Sequence, residues 1–270
     1  MQYKRKEDID AEYKVARDLI GDGDVFLFRG HYLPSRWFES LDKSYYSHAG
    51  LAAWWGDRLM LLQAELREGI QAVPASVAIG TYKGRVDWHM LVRESYGLNL
   101  AEYNDRIQHG VILRAKASLG LHYAFGAVIK NFFRRWIAKI PLPNNPKVMF
   151  CSQYVEDCFR YARMSLAHQQ PITTFPKEIA ESSHLQYMCT IPHDPALVAA
   201  RERDEVVSAV CDRVEMSIAG FKKPGFTFAI THSPEPIPDR DPDQLMCELR
   251  ARIDRKRQGT NSVSSSNTTM

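Results

Sequence analysis

Tyr46-Ser47-His48-Ala49-Gly50-Leu51-Ala52-Ala53-Trp54-Trp55-Gly56-Asp57-Arg58-Leu59-Met60-Leu61-Leu62-Gln63-Ala64-Glu65 reads as two β-strands joined by a tight turn. His48 to Trp55 is small and apolar almost throughout, the character of a strand buried on both faces. A second apolar run covers Leu59 to Leu66, and Gly56-Asp57 between the two has the form of a two-residue hairpin turn. If Trp55 pairs with Arg58, His48 falls opposite Glu65 on the same face, with Gln63 diagonally adjacent. A histidine is out of character in so apolar a strand. Two readings are open: a satisfied core or capping histidine, or a base oriented by a polar neighbour on the next strand.

Working outward, the sequence supplies more strands. Asp24-Val25-Phe26-Leu27-Phe28 follows the turn Gly21-Asp22-Gly23 and is compact and β-prone, while Ala72 to Ile79 and Arg85 to Val92 are further candidates. Together they predict a small antiparallel sheet. Helical spacing marks residues 5 to 20, the stretch from Leu100 to Leu119 with Gly120 as its cap, and Cys151 to about His168 after the rigid loop Pro141-Leu142-Pro143-Asn144-Asn145-Pro146. Beyond these, a helix is expected from Pro195 to Ala219 and a late strand from Gly225 to Thr231. Asp241-Pro242 should start a helix over Asp243 to Arg257. The fold class is therefore α+β, a small antiparallel sheet packed against helices. Residues 1–194 form one domain with its core at about 20–190, 195–258 form a helical C-terminal appendage, and the Ser/Asn/Thr-rich 259–270 form a disordered tail.

With 45% apolar and 25% charged residues, the bulk composition is that of a soluble globular protein. A net charge of +3 with dispersed basic residues gives no nucleic-acid footprint. No apolar stretch approaches the roughly 20 residues a spanning helix needs. The charged start Met1-Gln2-Tyr3-Lys4-Arg5-Lys6-Glu7 leads into no apolar segment, so no signal peptide is expected, and location is cytoplasmic or reached by a non-classical route such as phage lysis or effector delivery. Five cysteines (151, 158, 189, 211 and 247) at irregular spacings fit neither a disulfide framework nor a structural zinc site. His184, His193 and His232 lack partners at metal-ligand spacing, and Asp239, Asp241 and Asp243 lack the glycine and closing Glu of a calcium loop. No metal and no cofactor are expected.

Cys151 falls at a helix start, where unpaired N–H groups and the helix dipole favour a thiolate and can hold an oxyanion. The competing reading is a small buried cysteine ending a strand. Ser152 reads as a helix-capping residue. His122 and Tyr123 precede the Pro loop and either line a cleft or pack in the core. Trp37, Phe38, Trp54, Trp55 and Trp88 offer an apolar cleft for an acyl chain, or ordinary core.

Several stretches, taken in order, resemble a known family. Gly23-Asp24-Val25-Phe26-Leu27-Phe28 is similar to an opening Gly-Asp-hydrophobic strand, and Tyr46-Ser47-His48-Ala49-Gly50-Leu51 to a Ser-His-hydrophobic-Gly segment. Leu61-Leu62-Gln63-Ala64 resembles a strand that commonly reads hydrophobic-Glu-Ala. Phe150-Cys151-Ser152-Gln153-Tyr154-Val155 resembles a Tyr-Cys-Ser-Glu-Leu-Val segment, and residues 174–182 a Pro-containing segment after it. The family is the YiiX-like branch of the permuted NlpC-type papain-fold cysteine hydrolases, relatives of the lecithin:retinol acyltransferase group. Over residues 20 to 190 the resemblance implies a circularly permuted papain-like fold, with Cys151 as nucleophile, His48 as base and Gln63 as the residue orienting His48. Gln63 stands where the family commonly has Glu, which leaves Glu65 as an alternative orienter, and Gln153 is a second, milder departure of the same kind.

The expected function is a cysteine-dependent hydrolase or acyltransferase acting on an amide, ester or thioester carbonyl. Its substrate would be a peptidoglycan peptide, a lipid or an amide-linked adduct. The alternative is a catalytically idle papain-like fold used as a structural or binding module, and the neutral Gln63 keeps it open.

Overall fold

Gly56 takes φ +61° at the tip of the hairpin, a conformation open to glycine at little steric cost, and the two strands leave it in register from Trp55↔Arg58 to Gly50↔Gln63. The computed structural model describes residues 9–29, 46–65, 68–121, 151–167, 174–198 and 237–265. Six strands form one antiparallel sheet: β1 (Val25–Arg29), β2 (His48–Trp55), β3 (Arg58–Glu65), β4 (Gly69–Pro74), β5 (Arg85–Leu91) and β6 (Leu185–Ile191). Their order is β4-β3-β2-β1-β5-β6. With helices around it, the fold is α+β, as the sequence predicts.

Both faces of the sheet are covered, which is why β2 is apolar without alternation. On one face Leu27, Ala49, Leu51 and Leu62 pack against Ile107, Tyr154, Val155 and Phe159. These come from α3 (Leu100–Asp105), a wide π-type stretch (Arg106–Ile112), α4 (Leu113–Ala117) and α5 (Cys151–Tyr161). The π stretch brings Gly110 against the residue just past α5 so closely that a Cβ there would lie 2.5 Å from the Cβ of Ala162. On the opposite face Phe26, Leu61, Trp88 and Met90 pack against α1 (Tyr13–Ala16), α2 (Ala75–Thr81) and α7 (Pro242–Ser265). A short α6 (Pro176–Ala180) precedes β6, with Glu178 accepting the Phe175 N–H at 2.6 Å.

Four boundaries differ from the sequence reading. The expected strand Ala72 to Ile79 stops at Pro74, which has no N–H for the ladder, and Ala75–Thr81 is helical instead. In the predicted helix 5 to 20, residues 5–8 lie outside the described residues, and helix begins at Tyr13. The chain before it is extended, because Ile9 and Ala11 exchange backbone hydrogen bonds of 2.8 and 3.0 Å with Thr190 on the sheet's outer strand β6. The Cys151 helix ends at Tyr161 rather than near His168. Arg163 at φ +58° and the Met164 N–H on the Phe159 carbonyl (2.9 Å) form a Schellman-type stop without glycine. Finally, α7 begins at Pro242 as expected but runs on to Ser265, into residues read from composition as a disordered tail.

The described part of the 195–258 segment is packed on the sheet domain. Leu249 is fully buried and Ile237 is buried in the core on the other face. Arg240 reaches Asp24, a carboxylate without exposed surface, through two hydrogen bonds of 3.0 and 2.7 Å. Asp24 also accepts from Trp88 Nε1 (2.8 Å) and the Leu91 N–H (3.1 Å). Ile237 and Leu249 therefore join the core and Arg240 ties the segment to it, while residues 254–258 are exposed. The expected helix from Pro195 to Ala219 and strand from Gly225 to Thr231 fall outside the described residues except for 195–198, where Leu197 is buried beside Gly80 of α2.

Candidate active site

His48 is the first residue of β2, and its ring stands edge-on to Phe28, its partner on β1, with centroids 5.2 Å apart. Its Nε2–H donates to Gln63 Oε1 at 2.9 Å, and Glu65 Oε1 lies 3.6 Å from the same nitrogen. Both carboxamide and carboxylate come from β3 and reach the imidazole because the two-residue turn fixes the register. Gln63 is buried, whereas the Glu65 side chain keeps 38% of its surface exposed. With Nε2 turned to Gln63, Nδ1 is the nitrogen left to exchange a proton with a nucleophile.

Cys151 lies beside this imidazole. Helix α5 packs on the Ala49 and Leu51 face of β2, and the Cys151 thiol meets the start of the strand, where it is hydrogen-bonded to the His48 imidazole. The Ala49 and Ser152 backbone N–H groups also point at the sulfur. Burial works to raise the thiol pKa, but the His48 charge and hydrogen bond, with the two N–H donors, outweigh it and bring it below the ordinary thiol value. The counterpart holds for His48. Burial disfavours its charged form, yet the Cys151 thiolate, Glu65 and Gln63 lift its pKa from 6.5 to about 9. The arrangement favours a thiolate–imidazolium pair.

Cys151, His48, Gln63 and Glu65, separately marked in the sequence, thus come together at one end of β2. No protein-family model matches the chain, and no curated protein matches it. Among solved structures, it is similar to the metalloprotein yiiX from Escherichia coli O157:H7, DUF1105. The identity is 16% and the TM-score 0.47, over 64% of this chain and 97% of that one.

Other residues singled out in the sequence stand elsewhere. Ser152 is buried and donates to the Thr174 carbonyl at 2.7 Å, tying α5 to the segment before α6. Trp88 is core and Trp54 donates from Nε1 to the Ile20 carbonyl at 2.8 Å, so neither lines an acyl cleft. Trp55 packs against the core of the helix α5 face. His184 pairs with Ser95 (3.0 Å) and stacks on Tyr96, while His193 is exposed. Asp239 pairs with Arg93, and the Asp241 side chain accepts the Asp243 N–H at 3.0 Å. Trp37, Phe38, His122, Tyr123, Cys211 and His232 lie outside the described residues. Among the described residues no group of three His, Cys, Asp or Glu side chains is arranged to hold a metal, and no helix is long and apolar enough to cross a membrane.

Cys158 and Cys189 are fully buried, and burial pushes both thiols far up. The site therefore separates one activated thiol from two inert ones. Sequence reading missed the Ala49 N–H, which belongs to the backbone of an apolar strand and leaves no residue-type signal.

Proposed function

We propose that the chain is a cysteine-dependent hydrolase or acyltransferase, of the YiiX-like permuted papain type that its motifs resemble, acting on an amide, ester or thioester of a peptide or acyl lipid. The observation that carries the reading is the hydrogen bond between Cys151 and a His48 whose other nitrogen is held by Gln63 at 2.9 Å. In this mechanism the Cys151 thiolate attacks the carbonyl carbon, a C–S bond forms, and the carbonyl oxygen carries the charge. His48 gives its Nδ1 proton to the departing amine, alkoxide or thiolate as the acyl bond breaks, leaving a thioester on Cys151. Water or another acceptor then loses a proton to His48 and attacks the thioester, which restores the thiolate.

Gln63 is the observation favouring the second reading, an idle fold used for binding, because an amide stabilises imidazolium less than a carboxylate does. Glu65 at 3.6 Å supplies the missing charge to the same nitrogen. Iodoacetamide labelling of the full chain at neutral pH, read by peptide mass spectrometry, separates the two. The hydrolase reading expects Cys151 to label well ahead of Cys158, Cys189 and the exposed Cys247. Labelling of Cys151 no faster than Cys247 would leave the idle fold.

A further inference from the structure

The chain entering β2 is anchored residue by residue before it delivers His48 and Ala49 to the Cys151 sulfur. Asp87 on β5 has no exposed surface, and its carboxylate accepts hydrogen bonds from three separate segments. Tyr46 Oη–H donates to Oδ2 at 2.7 Å, while Thr190 Oγ1 (2.6 Å) and Arg29 Nη2 (3.1 Å) reach Oδ1. Thr190 is in turn hydrogen-bonded to the Tyr187 hydroxyl at 2.8 Å, and His89 faces the rings of both Tyr46 and Tyr187.

Asp87 lies opposite Leu27, and Leu27 lies opposite Ala49, so the Tyr46 bond ties the entry to β2 across β1 to β5. The next residue is held independently: the Ser47 N–H donates to the Phe28 carbonyl at 2.9 Å and its hydroxyl meets Tyr82 Oη at 3.0 Å. Packing would be served by a phenylalanine at position 46. A hydroxyl aimed at a buried carboxylate adds a short, charge-assisted and directional bond, which fixes where the backbone runs. Two and three residues further on, the His48 imidazole and the Ala49 N–H are hydrogen-bonded to the Cys151 sulfur.

We propose that Tyr46, held by Asp87, is a positioning residue that sets the placement of His48 and of the Ala49 N–H on Cys151. This rests on the reading of Cys151 and His48 as a reacting pair. The test is the rate of Cys151 alkylation by iodoacetamide against pH in the full chain, comparing wild type, Tyr46→Phe and Thr190→Val. Tyr46→Phe should alkylate about tenfold more slowly at neutral pH, with its acid inflection displaced upward, because small misplacements of a reacting pair are expensive. Thr190→Val removes a comparable bond to the same carboxylate on the far side. It should lower the melting temperature and leave the alkylation profile unchanged. A Tyr46→Phe profile that coincides with wild type, or an equal displacement in Thr190→Val, would overturn the proposal. If Tyr46→Phe does not fold, Asp87→Asn decides, since it weakens the same bond by removing its charge. A smaller slowing in the same direction is expected, and a coincident profile overturns. An unreactive wild-type Cys151 would overturn the site reading and this proposal with it, whereas a reactive wild type beside an unmoved Tyr46→Phe overturns this proposal alone.

Discussion

Replacing His48 with alanine removes the partner that lowers the Cys151 thiol pKa, and the structure sets the size of the effect. The imidazole rises from 6.5 to about 9 although burial works against its charge, because the thiolate, Glu65 and Gln63 favour it. That rise corresponds to roughly 3 kcal/mol, at about 1.4 kcal/mol per tenfold change in proton affinity. The coupling is mutual, so the thiolate loses a comparable stabilisation when the imidazolium is gone. The Ala49 and Ser152 N–H donors remain on the sulfur and keep the loss partial. Cys151 alkylation at neutral pH should therefore fall by roughly ten- to a hundredfold in His48→Ala. The assay is the second-order rate with iodoacetamide, followed by peptide mass spectrometry across the acid and alkaline ranges. Stability responds with two opposed signs. The folded-state pKa of His48 lies above its unfolded value, so its contribution is complete below about 6.5 and is lost as pH rises through about 9. The lowered Cys151 pKa contributes in the opposite sense as pH rises, so the two offset and the wild-type melting temperature should change little across that interval. Wild-type alkylation rates in His48→Ala, with an unchanged pH profile, would refute the coupling.

The remaining predictions concern the supports of the pair and the docking of the C-terminal helix. Gln63→Glu places a carboxylate at the position 2.9 Å from Nε2 and should move the alkaline limb of activity or alkylation above about 9, whereas Gln63→Leu should move it down. Glu65→Gln should move the same limb down at least as far, since Glu65 supplies negative charge to that nitrogen where Gln63 supplies a neutral acceptor. Arg240→Ala leaves the Asp24 carboxylate buried without its cation and should destabilise the fold by about 3–5 kcal/mol, read by urea or thermal unfolding. Deleting residues 237–265 should do at least as much, where a detachable appendage would leave the melting temperature unchanged.

The hairpin was legible because its information is local. Gly56-Asp57 fixes the turn, and a period of two then decides which side chains share a face with His48. The helix that carries Cys151 was legible from a helical stripe following a Pro-rich loop. Its end was not, because an arginine, Arg163, occupies the left-handed position where a glycine would have marked the stop. Pro74 carried a usable signal, since proline inside a strand argues for the strand's end. The N-terminal segment misled because its spacing is helical while its backbone is claimed by Thr190, some 180 residues away in the chain. The docking of α7 had a partial signal in Leu245, Leu249 and Ile253, a stripe four residues apart that must be buried somewhere. Only tertiary structure shows where, and only tertiary structure pairs Arg240 with Asp24 or Tyr46 with Asp87. The pairing of Cys151 with His48 came from the order of motifs rather than from any one of them.

Direct capture of the acyl intermediate tests the central claim. The full chain is incubated with a panel of activated acyl esters and thioesters, quenched in acid, and measured by intact mass and peptide mapping, alongside Cys151→Ala. The account predicts a mass increase equal to one acyl group, mapped to the Cys151 peptide, lost in Cys151→Ala and slow to form in His48→Ala. An adduct confined to Cys247, or one that persists unchanged in Cys151→Ala, would contradict it.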